Sequence, residues 1–359
     1  MQALVIGPDK TDPLGVWQLF PFKYHKRELK NQLGMEVKFS VARNIKEIAH
    51  IIFSVSDNFD VLFIRPQWKD DPQEVEDVLR RARIKFESKK IILIDPFDQT
   101  SSRFLQSLKY VDRLVKYTGL KDNNLYKNQY QGGSYQTDRL SREYNLKING
   151  WHVGSIVPDG CETKIVSGWF IVQPYIIRNL MSPLHKLKAR LINVEKTVDI
   201  FCHVSCGMRD SMNWYGEHRS AAVDELKKFD DRFKVSAAAD FTGEPRIPRK
   251  EYIRLSRASK ILLSPLGWGE VTMRAFESIL NNSLYIQPDV SHVQINPDIL
   301  IPYETYVPVK WDFSDLLEKC EYYLTHDQER EKIVLNARKA FHDYYELSGF
   351  VKKIAELID

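Results

Sequence analysis

A chain of 359 residues, 43% hydrophobic and 28% charged, is long enough for two domains that each bury a core. Its 52 Lys and Arg stand against 48 Asp and Glu, a formal charge of +4 with the signs interleaved, which argues against a nucleic-acid footprint. No run reaches the roughly 18 apolar residues of a membrane span, and the opening MQALVIGPD lacks the basic segment of a signal peptide, so a soluble cytoplasmic protein without a transmembrane segment is expected. Cys161, Cys202, Cys206 and Cys320 are scattered; Cys202 and Cys206 have no second ligand pair, which fits reduced buried thiols better than structural zinc.

In the first half, strands alternate with helical stretches. Ala3 to Ile6 reads as a strand broken by Gly7-Pro8-Asp9, Phe20 to Leu33 as a helix, and Glu36 to Val41 as a strand. A helix from Ile45 to Phe53 and a strand from Asp60 to Ile64 follow. A charged amphipathic helix then runs from Asp71 to Phe86, before the strongly apolar strand Lys90 to Ile94. This alternation indicates a parallel sheet covered on both faces. No G-x-G-x-x-G follows the first strand, so a nicotinamide-type site is not supported there. Asp95 and Asp98 close the Lys90 strand, where open α/β sheets bind ligands, although DPFDQTSS is also full of cap formers. Lys116, after the short strand Arg113 to Val115, either reaches a phosphate or is exposed.

From Asn123 to Gly168 the pattern loosens into a polar, Tyr-rich stretch with few apolar runs, of the kind that is often functional or mobile. Lys164 to Val172 is again strand-like, and Pro174 to Leu191 holds two short helical runs around Pro183. The domain boundary falls near Pro183 to Asn193, dividing the chain into 1–185, 186–345 and a terminal helix in 346–359. A second strand–turn–helix unit opens with Thr197 to Val204. Its turn carries Gly207 and Arg209, and the helix Glu217 to Phe229 carries Arg219, read as a surface residue. Small residues and an arginine at such a turn suit a diphosphate.

A strand from Phe233 to Ala239 and a basic helix from Arg249 to Ser259 lead to the most informative stretch, KILLSPLGWGEVTMRAFESILNNSLYIQPD. It reads as a strand (Ile261 to Ser264), a turn containing Gly267 and Gly269 beside Trp268, a helix (Val271 to Asn281) and a strand (Leu284 to Ile286). The glycines let backbone approach a ligand, and the helix start offers amide hydrogens to an anion. Glu270, Arg274 and Glu277, at i, i+4 and i+7, are expected on one helical face. His292 lies in a later loop. Tyr306 to Val309 is the last strand, and helices follow from Asp312 to Tyr323 and from Gln328 to Tyr345.

Taken together, SPLGWGEV, AFESILNNSLYIQPD, PDVSHV and ETYVPVKWDFSDLLEKCEYYL resemble the donor-binding segment of GT-B nucleotide-sugar glycosyltransferases over about a third of the chain. The resemblance implies an α/β fold of two Rossmann-like domains facing each other across a cleft, with the chain's end crossing back to the first. It places Gly207, Arg209, Gly267, Trp268, Gly269, Glu270 and Arg274 around the donor diphosphate and Glu277 on the ribose. It makes Asp95 or Asp98 the base that deprotonates an acceptor hydroxyl. The Tyr-rich stretch would line the acceptor side, with Trp151 and His152 among rings able to stack on sugars. Six residues separate Glu270 from Glu277, one short of the usual retaining spacing, so stereochemistry stays open. No Asp-x-Asp is present, so no metal is indicated, and no cofactor is expected beyond the nucleoside-diphosphate sugar as co-substrate. The partners implied are that donor and a saccharide or glycolipid acceptor. A sugar-nucleotide epimerase or hydrolase of the same fold, or a non-catalytic nucleotide-sugar-binding protein, remains an alternative.

Overall fold

Two parallel sheets carry the molecule, each built from the continuous apolar runs in the sequence. The computed structural model describes residues 1–148, 153–182, 195–209 and 213–359. In the first sheet, β1 (Gln2–Gly7), β2 (Glu36–Val41), β3 (Val61–Ile64), β4 (Lys90–Ile94) and β5 (Arg113–Lys116) are followed, after a short outlying β6 (Gly119–Leu120), by β7 (Ile165–Ser167). Their order is β2-β1-β3-β4-β5-β7, and every pairing is parallel. The second sheet holds β8 (Val198–Gly207), β9 (Val235–Phe241), β10 (Ser259–Leu263) and β11 (Leu284–Pro288). After the outlying β12 (Val293–Gln294), it is completed by β13 (Val307–Val309), in the order β13-β11-β10-β8-β9.

Counted within its own domain, each sheet therefore has its second strand outside its first and its third on the other side. In such doubly wound sheets the crevice opens between the first and third strands, outside their carboxyl ends. Both crevices face the same space. Runs such as Ile91 to Ile94 and Ile261 to Leu263 are fully buried because helices cover both faces.

Several expected boundaries shift. The first helix starts at Pro13 rather than Phe20, because Asp12 caps it by accepting from Gly15 N and proline suits the first helical position. It ends at Tyr24, and a second helix, Lys26–Leu33, stops at Gly34 in the left-handed region (φ 60°). The loose Tyr-rich stretch contains a helix, Tyr135–Glu143, closed by a capping box between Ser134 and Thr137. Its polar sequence carries one strongly apolar side chain, Leu140, so periodicity does not reveal it. The strand expected over Lys164 to Val172 keeps only Ile165–Ser167. The helix expected from Asp312 runs instead over Leu316–Thr325, while Asp312 accepts from Ser314 N in the turn before it. Trp151, His152, Asp210 and the boundary segment Pro183 to Asn193 lie outside the described residues.

The last helix, Gly349–Ile358, packs against the first sheet. Phe350, Val351, Ile354 and Leu357 join the core that contains Val5, Phe22, Phe63 and Trp169. Phe350 meets Phe22 and Trp169 edge to face, with ring centroids 5.1 and 4.8 Å apart. The domains are also stitched by an antiparallel pair: Leu120 of β6 lies opposite Val293 of β12, and Lys121 N donates to His292 O at 2.9 Å. All four cysteines are free thiols, with Cys202, Cys206 and Cys320 buried. Among the described residues no helix is long and apolar enough to cross a membrane.

Candidate functional site

A cavity of about 270 Å³ lies between the carboxyl ends of the two sheets. The first domain contributes Leu14 after β1, Asp98 after β4, Tyr117 after β5, and Phe170 and Ile171 after β7. The second contributes Ser205 at the end of β8, Tyr215 and Arg219 from the next helix, and Trp268, Gly269, Val271, Thr272 and Met273 after β10. On the second domain this is the space between first and third strands that the topology predicts.

Of the two candidate carboxylates, Asp98 reaches the cavity and Asp95 does not. Asp95 is fully buried at the end of β4, ion-paired with Lys116 and accepting from Ser102 Oγ. Lys116 is equally buried and also donates to Ser101 O at 2.7 Å. Neither expectation for Lys116, phosphate contact or exposure, is met. A buried charge needs a buried partner, and this pair ties the start of the 95–102 loop to its end. Asp98 stands at the middle of that loop, where the Tyr117 hydroxyl donates to its Oδ1. Burial pushes the Asp98 carboxyl above the usual range, against the pull of the Tyr117 hydrogen bond and of Lys116 and Arg65. A half-buried carboxyl with a raised pKa, facing a cavity, has the properties of a general base.

The opposite wall is cationic. Arg219 lies on the first turns of helix Trp214–Leu226, one turn beyond Tyr215, whose ring it covers at 5.0 Å. It donates to the carbonyls of Leu266 and Ser205 rather than to a carboxylate. Burial and the nearby Arg274 lower its pKa to about 10, so it remains charged at neutral pH. One sign of this position is visible in the spacing alone: Tyr215 and Arg219 share a helical face at i, i+4 directly after the domain's first strand.

The glycine turn meets both domains. A Cβ on Gly267 would stand 2.1 Å from the Arg219 guanidinium, and one on Gly269 would stand 2.5 Å from the Asp98 carbonyl oxygen. Gly269 is thus required by the contact with the other domain. The Gly267 and Trp268 carbonyls accept from Gln136 Nε2 at 2.8 Å and Gln99 Nε2 at 2.6 Å, again across the interface. Downstream, the helix begins at Arg274 rather than Val271. Among the described residues, no acceptor is found for the amide hydrogens of Gly269, Val271, Thr272 and Met273, all of which line the cavity. Unpaired amides ahead of a helix are an anion cradle.

Because the helix starts late, Glu270 does not share a face with Arg274 and Glu277. It is fully buried at the interface, accepting from Thr100 N at 3.3 Å and Thr100 Oγ1 at 3.1 Å, with His292 Nε2 3.7 Å away. Arg274 donates to His203 O at 2.8 Å, and Glu277 accepts from the Tyr252 hydroxyl at 3.4 Å. These two form a polar group outside the cavity lining, as does Arg209, which is exposed, paired with Glu244 at 2.7 Å and stacked over Phe241. Gly207 sits at φ 75°, a left-handed turn position, with the Tyr215 hydroxyl where a Cβ would project. Of the sequence candidates, the cavity brings together Asp98, Trp268 and Gly269; Arg219, Tyr117 and Tyr215 join them without having been singled out.

Comparison with known proteins agrees with this architecture. Residues 218–356 match the family model described as glycosyl transferase-like. No curated protein matches the chain. Among solved structures, a glycosyltransferase from Rickettsia africae is similar at 15% identity and a TM-score of 0.50, over 99% of this chain and 97% of that one. A UDP-forming α,α-trehalose-phosphate synthase from Burkholderia xenovorans is similar at 9% identity and 0.47, over 99% and 98%. The S. aureus MnaA–UDP structure is similar at 7% and 0.43, over 98% and 97%. Identities this low speak only to fold, and of these three the Rickettsia likeness carries it. The chain has the GT-B fold, with the cleft between its two Rossmann-like domains, and its residues 218–356 are similar to the glycosyl transferase-like family.

Proposed function

We propose that this protein transfers a sugar from a nucleoside-diphosphate sugar to a hydroxyl of a saccharide or glycolipid acceptor. One observation carries the reading: a single interdomain cavity has the raised-pKa carboxyl of Asp98 on one wall, and Arg219 with four unpaired amides on the other. The Asp98 carboxylate takes the proton of the acceptor hydroxyl as its oxygen bonds to the anomeric carbon. The bond from that carbon to the diphosphate breaks, and the charge that develops on the leaving oxygens is met by Arg219 and the amides of Gly269 to Met273. Base and leaving group on opposite walls suit a single displacement with inversion. Trp268 and Tyr215 flank the donor, whose ribose extends beyond the cavity lining to Glu277 and Arg274. The charge of the leaving group is met by protein groups, so the reading calls for no metal.

Calorimetric titration of UDP, GDP, ADP and CMP into wild type, Arg219→Gln and Glu277→Ala tests the donor side. One diphosphate is expected to bind wild type, and at least tenfold more weakly to each variant. No binding to wild type would overturn the proposal. Product analysis with a labelled donor separates transfer from epimerisation or hydrolysis.

A further inference from the structure

Of the edge strands that the described residues leave on the two parallel sheets, three are guarded. β2 carries the exposed charges Glu36 and Lys38, β13 is three residues long with Pro308 at its centre, and β7 is three residues long. Short strands, charges and prolines keep an edge from pairing with another chain. β9 has none of these guards between Val235 and Ala239, where the sequence is VSAAA.

The backbone there is set to pair. Ile200 N donates to Lys234 O at 3.3 Å, and the register with β8 is regular from Val235 to Asp240. Peptide groups alternate in direction along a strand, so those of Lys234, Ser236, Ala238 and Asp240 face β8. Those of Val235, Ala237 and Ala239 point out of the sheet, and among the described residues none of their N–H or C=O groups has a partner. The side chains alternate as well. Lys234, Ser236, Ala238 and Asp240 share one face, where His203 Nε2 lies 2.9 Å from Ser236 Oγ. Neither Lys234 nor Asp240 is ion-paired among the described residues. The acid beside Lys234 is Asp199, which is taken by Lys260 at 2.7 Å.

The stretch is its own complement. Laid antiparallel against a second copy about a two-fold axis at Ala237, Ala237 meets Ala237, Val235 meets Ala239 and Ser236 meets Ala238. Lys234 then stands opposite Asp240 at each end. The outward-pointing residues are the ones that such a pairing requires to exchange N–H···O=C bonds with their opposite numbers. Small side chains let the strands approach, and the two opposite-charge pairs fix the register. A strand of another protein need share none of this reverse order.

We infer that β9 is a self-association edge. Two copies of this chain pair through Val235 to Ala239 and join their five-stranded sheets into one continuous sheet across a two-fold axis. Because the paired strands run in opposite directions, the two clefts open at opposite ends of the joined sheet. The inference does not depend on the transferase reading.

Sedimentation velocity of the full chain over a concentration series tests it, with circular dichroism to confirm that each variant is folded. Wild type is expected to form a reversible dimer. Ala237→Pro removes an N–H that points away from β8, so the sheet keeps its ladder while the central pair of the dimer is lost. Lys234→Glu puts a second acid opposite Asp240. Each should weaken the dimer at least tenfold, and Lys234→Glu combined with Asp240→Lys should restore it. Should the proline variant not fold, the charge reversals decide alone. Hydrogen exchange at the Ala237 and Ala239 amides should slow as the wild-type dimer forms. A wild type that stays monomeric at every concentration overturns the inference and leaves the edge to a strand of another protein. A dimer that neither the proline nor the charge reversal weakens overturns it too, by placing the contact elsewhere.

Discussion

His218 is neutral in the folded protein, and its protonation should govern acid stability. Its ring is fully buried, packed 4.7 Å from Phe313, and its Nδ1 lies 3.2 Å from the Tyr144 hydroxyl. That hydroxyl donates to Trp311 O at 3.1 Å, so it can only accept from the histidine, which assigns the proton to Nδ1. Nε2 is buried without a partner, and a second proton there would carry a charge into an apolar pocket. Burial, aided by the Arg219 charge, lowers the pKa from 6.5 to about 3. The unfolded chain therefore takes up this proton below pH 6.5 while the folded chain refuses it until near pH 3. The stability due to neutral His218 is complete above pH 6.5 and is lost as pH falls through that window. At about 1.4 kcal/mol per pH unit the full effect is on the order of 5 kcal/mol, of which about 2 kcal/mol is gone by pH 5. Urea unfolding of wild type and His218→Gln at pH 7.5 and pH 5 isolates it. Wild type should lose about 2 kcal/mol more than the variant. Equal losses would show that the folded state accommodates the charged ring.

The Asp98 reading has a pH consequence. As a base it acts ionised, so kcat/KM should fall with decreasing pH through a pKa above the ordinary carboxylate range. Tyr117→Phe removes a hydrogen bond that favours the ionised form and should move that acidic limb to higher pH. An unmoved limb would place the base elsewhere. Gly269→Ala tests the interface, since the new methyl group meets backbone of the other domain rather than a side chain that can turn away. A loss of about 1–3 kcal/mol is expected from urea unfolding, with at least a tenfold fall in kcat; wild-type values in both would mean the two loops part easily.

The strands were legible because a doubly buried strand writes itself as an unbroken apolar run. Ile91 to Ile94 and Ile261 to Leu263 are examples, and both end at the cleft. What the residues at those ends do was less visible, because it depends on partners far away in sequence. Asp95 and Asp98 look alike in DPFD, yet one is consumed by Lys116 from the next strand and the other is left facing the cavity. Glu270 fits a helical spacing with Arg274, but Thr100, 170 residues earlier, holds it in the interface. Arg219 looked like any charged residue on a surface helix, but its own domain's carbonyls at Leu266 and Ser205 hold it at the cavity wall.

The returning helix Gly349–Ile358 has a consequence for how the protein is made. Phe350, Val351, Ile354 and Leu357 complete the apolar cluster on one face of the first sheet. A domain emerging first from the ribosome ordinarily folds first. Here the part of that face which the last helix fills, beside Phe22, Phe63 and Trp169, stays uncovered until synthesis reaches residue 358, after the whole second domain has appeared. The order of synthesis therefore leaves a nascent first domain with an open greasy face, the kind of surface that chaperones hold. A stop codon placed just before Gly349 would make that state permanent.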